Sequence, residues 1–181
     1  MRYKLDITLT EEDYIDFNNF HALESVSGKK QLKKATLIVI IAFAALMVLM
    51  LVMFGPTPFS ISYAVFLGVF AAVYLLILKK IVKHNIKKNV SRMKKAGKLP
   101  FESSASLEFY EDHLVQSSPS MRMEQAYSVL ERVCVVQNRF VLLYTSSVAA
   151  HIIPMGQLFR QVNDKEFWEF LCQKCPKIEH Y

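Results

Sequence analysis

Two uncharged apolar runs govern what this chain can fold into. ATLIVIIAFAALMVLMLVMF occupies residues 35–54 and ISYAVFLGVFAAVYLLIL residues 61–78, and neither holds a charged side chain. At a rise of about 1.5 Å per residue, helices of these lengths reach roughly 30 and 27 Å, close to the ~30 Å hydrocarbon core of a bilayer. A helix in a soluble protein keeps a polar face, and one that is apolar all round needs apolar surroundings on every side. The runs therefore predict a transmembrane hairpin over residues 35–78, with spans at 35–54 and 60–78. FGPTPFS between them reads as the turn. Gly55 and Pro56 end the first helix, Pro58 stops it running through, and Ser60 is expected to accept a hydrogen bond from an amide opening the second. So short a tip makes the helices antiparallel. Thirty-four mostly polar residues precede the first run and no small-residue cleavage site follows it, so a signal-peptide reading is set aside.

Charge orients the hairpin. Lys29, Lys30, Lys33 and Lys34 stand before the first span, and Lys79, Lys80, Lys83, Lys87, Lys88, Arg92, Lys94, Lys95 and Lys98 follow the second. The tip has no charge. Basic residues at span ends stay on the cytoplasmic side, which predicts a two-span protein of the cell membrane with both termini in the cytoplasm. Those thirteen residues leave nine Lys and Arg against sixteen Asp and Glu elsewhere, so the net charge of +6 belongs to the membrane flanks. A nucleic-acid partner would need its basic residues on a folded face among aromatics, and none is expected.

Residues 79–98 form a basic amphipathic stem with Val82, Ile86, Val90 and Met93 along one apolar face, ended by Gly97 and Pro100. Lys79, Lys80, Lys83, Lys87, Lys88, Arg92, Lys94 and Lys95 are candidates for contact with anionic lipid headgroups, beyond what orientation alone requires. The spans carry no ionisable side chain, which argues against a carrier or pump. Ala64, Gly68 and Ala72 make a small-xxx-small seam, expected to pack within the hairpin against Ala42 and Ala45, or across a homodimer.

Outside the membrane, RYKLDITL alternates as a strand with Tyr3, Leu5, Ile7 and Leu9 on one face. TEED from Thr10 opens a helix expected to reach about Val26 and to stop at Ser27-Gly28. After residue 100 the pattern shortens to strands: SASLEFY, HLVQSS, MRMEQAY, RVCVVQ, FVLLYTS and AHIIP, with Asn138-Arg139 as a tight hairpin and Ser146-Ser147 as a turn. A last helix, DKEFWEFLCQKC, begins near Asn163-Asp164, turns Phe167 and Leu171 inward with Phe170 and Trp168 beside them, and closes at Pro176. The expected fold class is thus a transmembrane α-helical hairpin plus a cytoplasmic α+β domain: an antiparallel sheet with a C-terminal helix in a pleckstrin-homology-like outline. The segments are 1–34, an N-terminal strand and helix; 35–78, the hairpin; 79–98, the stem; and 99–181, the C-terminal domain.

LTEEDYIDFNNFH, the central hairpin, and the run LEFYEDHLVQ to YSVLERVCVVQNRFVLLYTSSVAAHIIPMGQLF and FWEFL together resemble the YcxB-like family of bacterial membrane proteins. The resemblance implies a cytoplasmic domain of pleckstrin-homology-like fold and no particular activity. The family usually places a basic pair after its IIP strand, where this chain has Met155-Gly156.

Residues able to do chemistry are sparse. Cys172 and Cys175 sit at the C-terminal end of a predicted helix, where the dipole opposes a thiolate. A structural zinc site needs four ligands, and Cys134, His151 and His180 are scattered. His113 and His151 have no nucleophile at a motif spacing, and no glycine-rich phosphate loop is present. Neither catalysis nor a cofactor or metal is expected. The expected function is a membrane-anchored interaction or regulatory module that binds a protein, peptide or lipid headgroup. The alternative is a small oligomeric membrane-active hairpin, pore or transporter accessory, regulated by its domain.

Overall fold

The computed structural model describes residues 1–99, 101–146, 149–175 and 177–181, apart from the side chain at 164. The proline stops expected at Pro100 and Pro176, and Ser147 of the expected turn, lie outside the described residues.

The first strand, β1 (Tyr3–Thr8), buries Leu5 and Ile7, as its alternation requires. Thr10 then caps α1 (Glu11–Leu23) reciprocally: Asp13 N donates to Thr10 Oγ1 at 3.1 Å, and Thr10 N donates to Asp13 Oδ2 at 2.8 Å. The helix ends earlier than the pattern suggested. Ser25 opens a new one, α2 (Val26–Phe54), with its Oγ accepting from Gly28 N at 3.0 Å, so Ser27 and Gly28 begin a helix instead of ending one. A Cβ on Gly28 would lie 2.1 Å from the His21 carbonyl oxygen, which explains the glycine in this tight corner.

At the tip, Gly55 adopts φ +64°. Thr57 and Ser60 then cap α3 (Pro58–Lys95): Thr57 N donates to Ser60 Oγ at 2.9 Å, and Ser60 N donates to Thr57 Oγ1 at 3.3 Å. Ser60 is the expected acceptor, Thr57 supplies the other half of the cap, and Pro58 takes the first helical position, where a missing amide costs nothing. The helix runs unbroken from span into stem. It closes at Gly97 (φ +64°), where Lys98 N donates to Met93 O at 2.9 Å and Gly97 N to Lys94 O at 3.0 Å.

Both α2 and α3 are long and apolar enough to cross a membrane. They form a hairpin. The less exposed positions step by threes and fours along Leu32, Thr36, Val39, Phe43, Met47 and Met50 of α2, and along Ser60, Ala64, Leu67, Ala71, Tyr74 and Leu78 of α3. That spacing marks the seam of a left-handed helix pair, and the Phe43 and Phe70 rings meet across it at 6.0 Å. Of the expected Ala64, Gly68, Ala72 seam, Ala64 lies on this line, whereas Gly68 and Ala72 do not. Steps of four alone drift off a 3.5-residue seam, leaving Gly68, Ala72, Ala42 and Ala45 exposed. Nothing lies within 4 Å of a Cβ built on Gly68.

The hairpin is an insertion between two neighbouring strands. β1 pairs antiparallel with β2 (Ser104–Phe109), from Tyr3 opposite Phe109 to Thr8 opposite Ser104, and Leu9 N donates to Ser103 O at 2.9 Å. Glu11 in the first turn of α1 accepts from Lys94 Nζ at 2.7 Å and Ser91 Oγ at 3.1 Å in the last turns of α3. Strands β3 (His113–Ser117) and β4 (Arg122–Ala126) complete a four-stranded antiparallel sheet in the order β1-β2-β3-β4.

A single 3-10 turn, Tyr127–Val129, leads to β5 (Arg132–Val136), β6 (Phe140–Tyr144) and β7 (Ala150–Pro154). All six expected strands are present. Asn138 takes φ +60° in the tight β5–β6 turn, closed by Arg139 N donating to Val136 O at 3.0 Å. Three elements follow: α4 (Met155–Gln161), α5 (Asp164–Lys174) and β8 (Ile178–His180), of which only α5 was expected. β8 pairs parallel with β5, giving a second four-stranded sheet in the order β7-β6-β5-β8.

Leu5, Leu107, Phe109, Val133, Leu143 and Ile153 from the sheets meet Phe167, Phe170 and Leu171 of α5 in one core. Phe167 packs edge-on to Tyr3 at 5.3 Å and to Phe109 at 5.2 Å. The outer edge of β1 is covered by two glutamines one turn apart on α4. Gln157 accepts from Thr8 N at 2.8 Å and donates to Thr8 O at 2.7 Å; Gln161 does the same for Asp6 at 2.7 and 2.8 Å.

Candidate functional site

A cleft of about 380 Å³ opens on the inner face of the first sheet. Its floor comes from Ile7, Ala105, Leu107, Gln116 and Met123. Alternation aims all of these inward, yet Ala105 is too short to reach across, and Gln116 and Met123 are only partly buried. The space stays open because no large side chain fills it. One wall is the edge of β7, at Ala150, His151 and Ile152. The facing wall is aromatic: Tyr14 on α1 lies 4.8 Å from Phe101, the rings tilted by 36°, and 6.1 Å from Phe17.

Besides the Tyr14 phenol, His151 and Glu102 face this space. His151 Nε2 lies 2.9 Å from Gln125 Oε1, joining β7 of one sheet to β4 of the other. That carbonyl oxygen only accepts, so Nε2 carries the hydrogen. Burial pushes the imidazole down to about 4, which keeps the ring neutral at pH 7 and makes Nδ1 an acceptor. Nδ1 has no partner among the described residues. Glu102 accepts from the Ser120 hydroxyl and, at 3.4 Å, from Ser120 N, and the hydroxyl contact holds its carboxyl below the usual range. Among the described residues no Lys or Arg lines the cleft. It therefore offers apolar surface, the acceptors of His151 and Glu102, and the Gln116 amide and the Tyr14 and Thr145 hydroxyls, which donate as well as accept.

The residues singled out from the sequence lie elsewhere. Lys79, Lys80, Lys83, Lys87, Lys88, Arg92, Lys94 and Lys95 are all exposed along α3, with Lys94 held by Glu11. Val90 is buried to 3% exposure, while Met93 is 36% exposed at the other end of the stripe. Cys172 is exposed, and Cys175 is buried just past the end of α5. Cys134 is buried in β5, where desolvation and its bond to Glu179 push the thiol up to about 11. Among the described residues no three His, Cys, Asp or Glu side chains are placed to hold a metal ion.

His113 stacks on Tyr110 at 4.6 Å and contacts Asp112 at 2.6 Å on the outer face. Val135, Met155, Phe159, Trp168 and Tyr181 border a second hollow of about 530 Å³.

Sequence reasoning missed the cleft because its walls come from three distant stretches. One signal was there: Gln116 and Gln125 stand at inward positions of strands where an apolar residue is the norm. No family model, no curated protein and no solved structure matches the chain.

Proposed function

We propose that this chain is a membrane-anchored, non-catalytic interaction module. Its hairpin fixes a pleckstrin-homology-like domain at the cytoplasmic face of the cell membrane, where the domain binds a protein, peptide or lipid headgroup. The observation that carries the reading is the uncovered apolar surface of α2 and α3. Side chains such as Ile38 (59% exposed), Val52 (76%) and Leu76 (81%) have no protein over them. In water so much contiguous apolar surface drives association, whereas in a bilayer it is the favourable state.

Basic residues flank both open ends of the hairpin and are absent from its tip, which supports cytoplasmic termini. The antiparallel strands β1–β4 and β5–β7, followed by α5, support the pleckstrin-homology-like description, in keeping with the YcxB-like resemblance, and β8 adds a parallel strand to the second sheet.

Topology tests the reading first. Cys172 is exposed, so the wild-type chain is its own reporter. In sealed cells a membrane-impermeant thiol reagent should leave wild type unlabelled and should label Pro56→Cys at the tip, a position that spares the Thr57 cap. Labelling of wild type from outside would overturn the cytoplasmic assignment. Capture from mild-detergent membranes, read by mass spectrometry for proteins and lipids, then identifies the partner.

One observation favours the second reading, an oligomeric membrane-active hairpin: Gly68 and Ala72 are uncovered and let another copy approach closely. Solute flux in reconstituted vesicles distinguishes the two.

A further inference from the structure

The cleft between the first sheet and β7 has a chemistry narrower than "a ligand". Its volume of about 380 Å³ falls in the ~300–1,000 Å³ range of small-molecule sites. Tyr14, Phe17 and Phe101 on one side and Met123 below supply flat and adaptable apolar contact. Gln116, Thr145 and Tyr14 can donate as well as accept, and the two groups that only accept set the preference of the site. Nδ1 of neutral His151 is an acceptor without a partner among the described residues, and the Glu102 carboxylate is acceptor-only. An anion would meet Glu102 with no cation lining the cleft to offset it. An acceptor-only polar group would leave His151 Nδ1 unmatched.

We infer that the cleft binds an apolar small molecule whose polar end donates a hydrogen bond, an alkyl alcohol or amine in type, and that it rejects anionic headgroups and fatty acids. This deepens the reading of the domain as a binding module and rests on it, but it does not depend on the membrane topology. The site also sits at a junction in the chain. Leu9, Tyr14 and Phe17 lie just before the inserted hairpin, and Phe101 and Glu102 just after it. An occupant would touch both segments that join the sheet to the spans.

The test uses the full chain in nanodiscs, with 13C-methyl methionine and 1-octanol as the probe. Met121 and Met123 report the cleft, while Met47, Met50 and Met53 on α2 report simple partition of the probe into lipid. Octyl methyl ether keeps the chain and loses the donor; octanoate reverses the charge preference. Expected is a saturable shift at Met121 and Met123 with 1-octanol, roughly 3- to 10-fold tighter than with octyl methyl ether, as for one hydrogen bond, and weaker still with octanoate.

Ala105→Phe, which fills the floor, should abolish the shift, and His151→Phe should remove the preference for alcohol over ether. Equal affinity for alcohol and ether, tighter binding of octanoate, or shifts at Met123 that merely track those on α2 would each overturn the inference. Because the selectivity is read on wild type, it stands even if a variant misfolds. A negative result leaves the labelling and partner-capture outcomes untouched, so the two failures are distinguishable.

Discussion

The side-chain amide of Gln157 forms two hydrogen bonds with the backbone of Thr8, accepting from its N–H at 2.8 Å and donating to its carbonyl at 2.7 Å. Gln161 repeats the pattern on Asp6, so one face of a short helix imitates the next strand of a sheet. Strand edges left unpaired are templates for aggregation, and β1 is the edge of its sheet. Gln157→Ala should cost about 1–2 kcal/mol, since water replaces part of what is lost. Gln157→Glu should fall between, keeping an acceptor for Thr8 N but setting a carboxylate against the Thr8 carbonyl. Urea unfolding in detergent checks the order, which reverses if α4 contributes only apolar packing.

Glycines provide a matched pair. Gly28→Ala drives a Cβ to 2.1 Å from the His21 carbonyl and should destabilise by about 1–3 kcal/mol or unwind the α1–α2 corner. Gly156→Ala, within α4 and facing open space, should be neutral or stabilising by up to about 1 kcal/mol. Gly68→Ala should not lower the thermal stability of the hairpin, because nothing meets its Cβ. Reduced stability of a monomer carrying that change would restore the small-residue seam within the chain.

Stability should fall with acid through His151. Its folded pKa of about 4 lies below the ordinary 6.5, so between those values the unfolded chain holds more protons. The folded state is therefore most favoured above about 6.5 and loses ground as pH falls through 4. At roughly 1.4 kcal/mol per pH unit the loss is bounded at about 3.5 kcal/mol. Glu102, held low by Ser120, adds loss of the same sign. The measurement is thus the difference between wild type and His151→Gln in unfolding at pH 7 and pH 4. Parallel profiles would mean that the imidazole titrates normally.

On the stem, Lys94 belongs with Glu11 and should be left in place. Neutralising Lys87, Lys88, Arg92 and Lys95 to Gln keeps Lys79, Lys80 and Lys83 for orientation. In nanodiscs of anionic lipid, quenching of the single Trp168 by a headgroup-linked quencher should decrease in the variant, and high salt should reproduce this in wild type. Each basic residue contributes at most about 1 kcal/mol at such a surface. Identical quenching in neutral and anionic nanodiscs would leave the stem as an orientation signal alone.

Local signals carried most of the architecture. The apolar runs RVCVV and FVLLY, with Asn138-Arg139 between them, specified a hairpin without reference to anything distant. The Thr10–Asp13 cap was equally local. What escaped depends on separated parts. MGQLFRQ follows directly on a strand, and its cap position, Pro154, offers no side-chain hydrogen bond, so nothing announces α4. β8 is three residues long and takes its partner from the far side of α5. The cleft asks for more still: His151 and Ala105 line one space, and His151 meets Gln125, only once both sheets exist.

Placing the hairpin between β1 and β2 also imposes an order of events during synthesis. Thr8 cannot meet Ser104 until everything from 9 to 103 has been made, including both apolar helices. At about 5–20 residues per second β1 waits roughly 5–20 s for its partner. In that interval both apolar helices have left the ribosome. On the membrane-anchored reading proposed above, the first sheet, and with it the cleft, is therefore assembled only after the spans have met the bilayer.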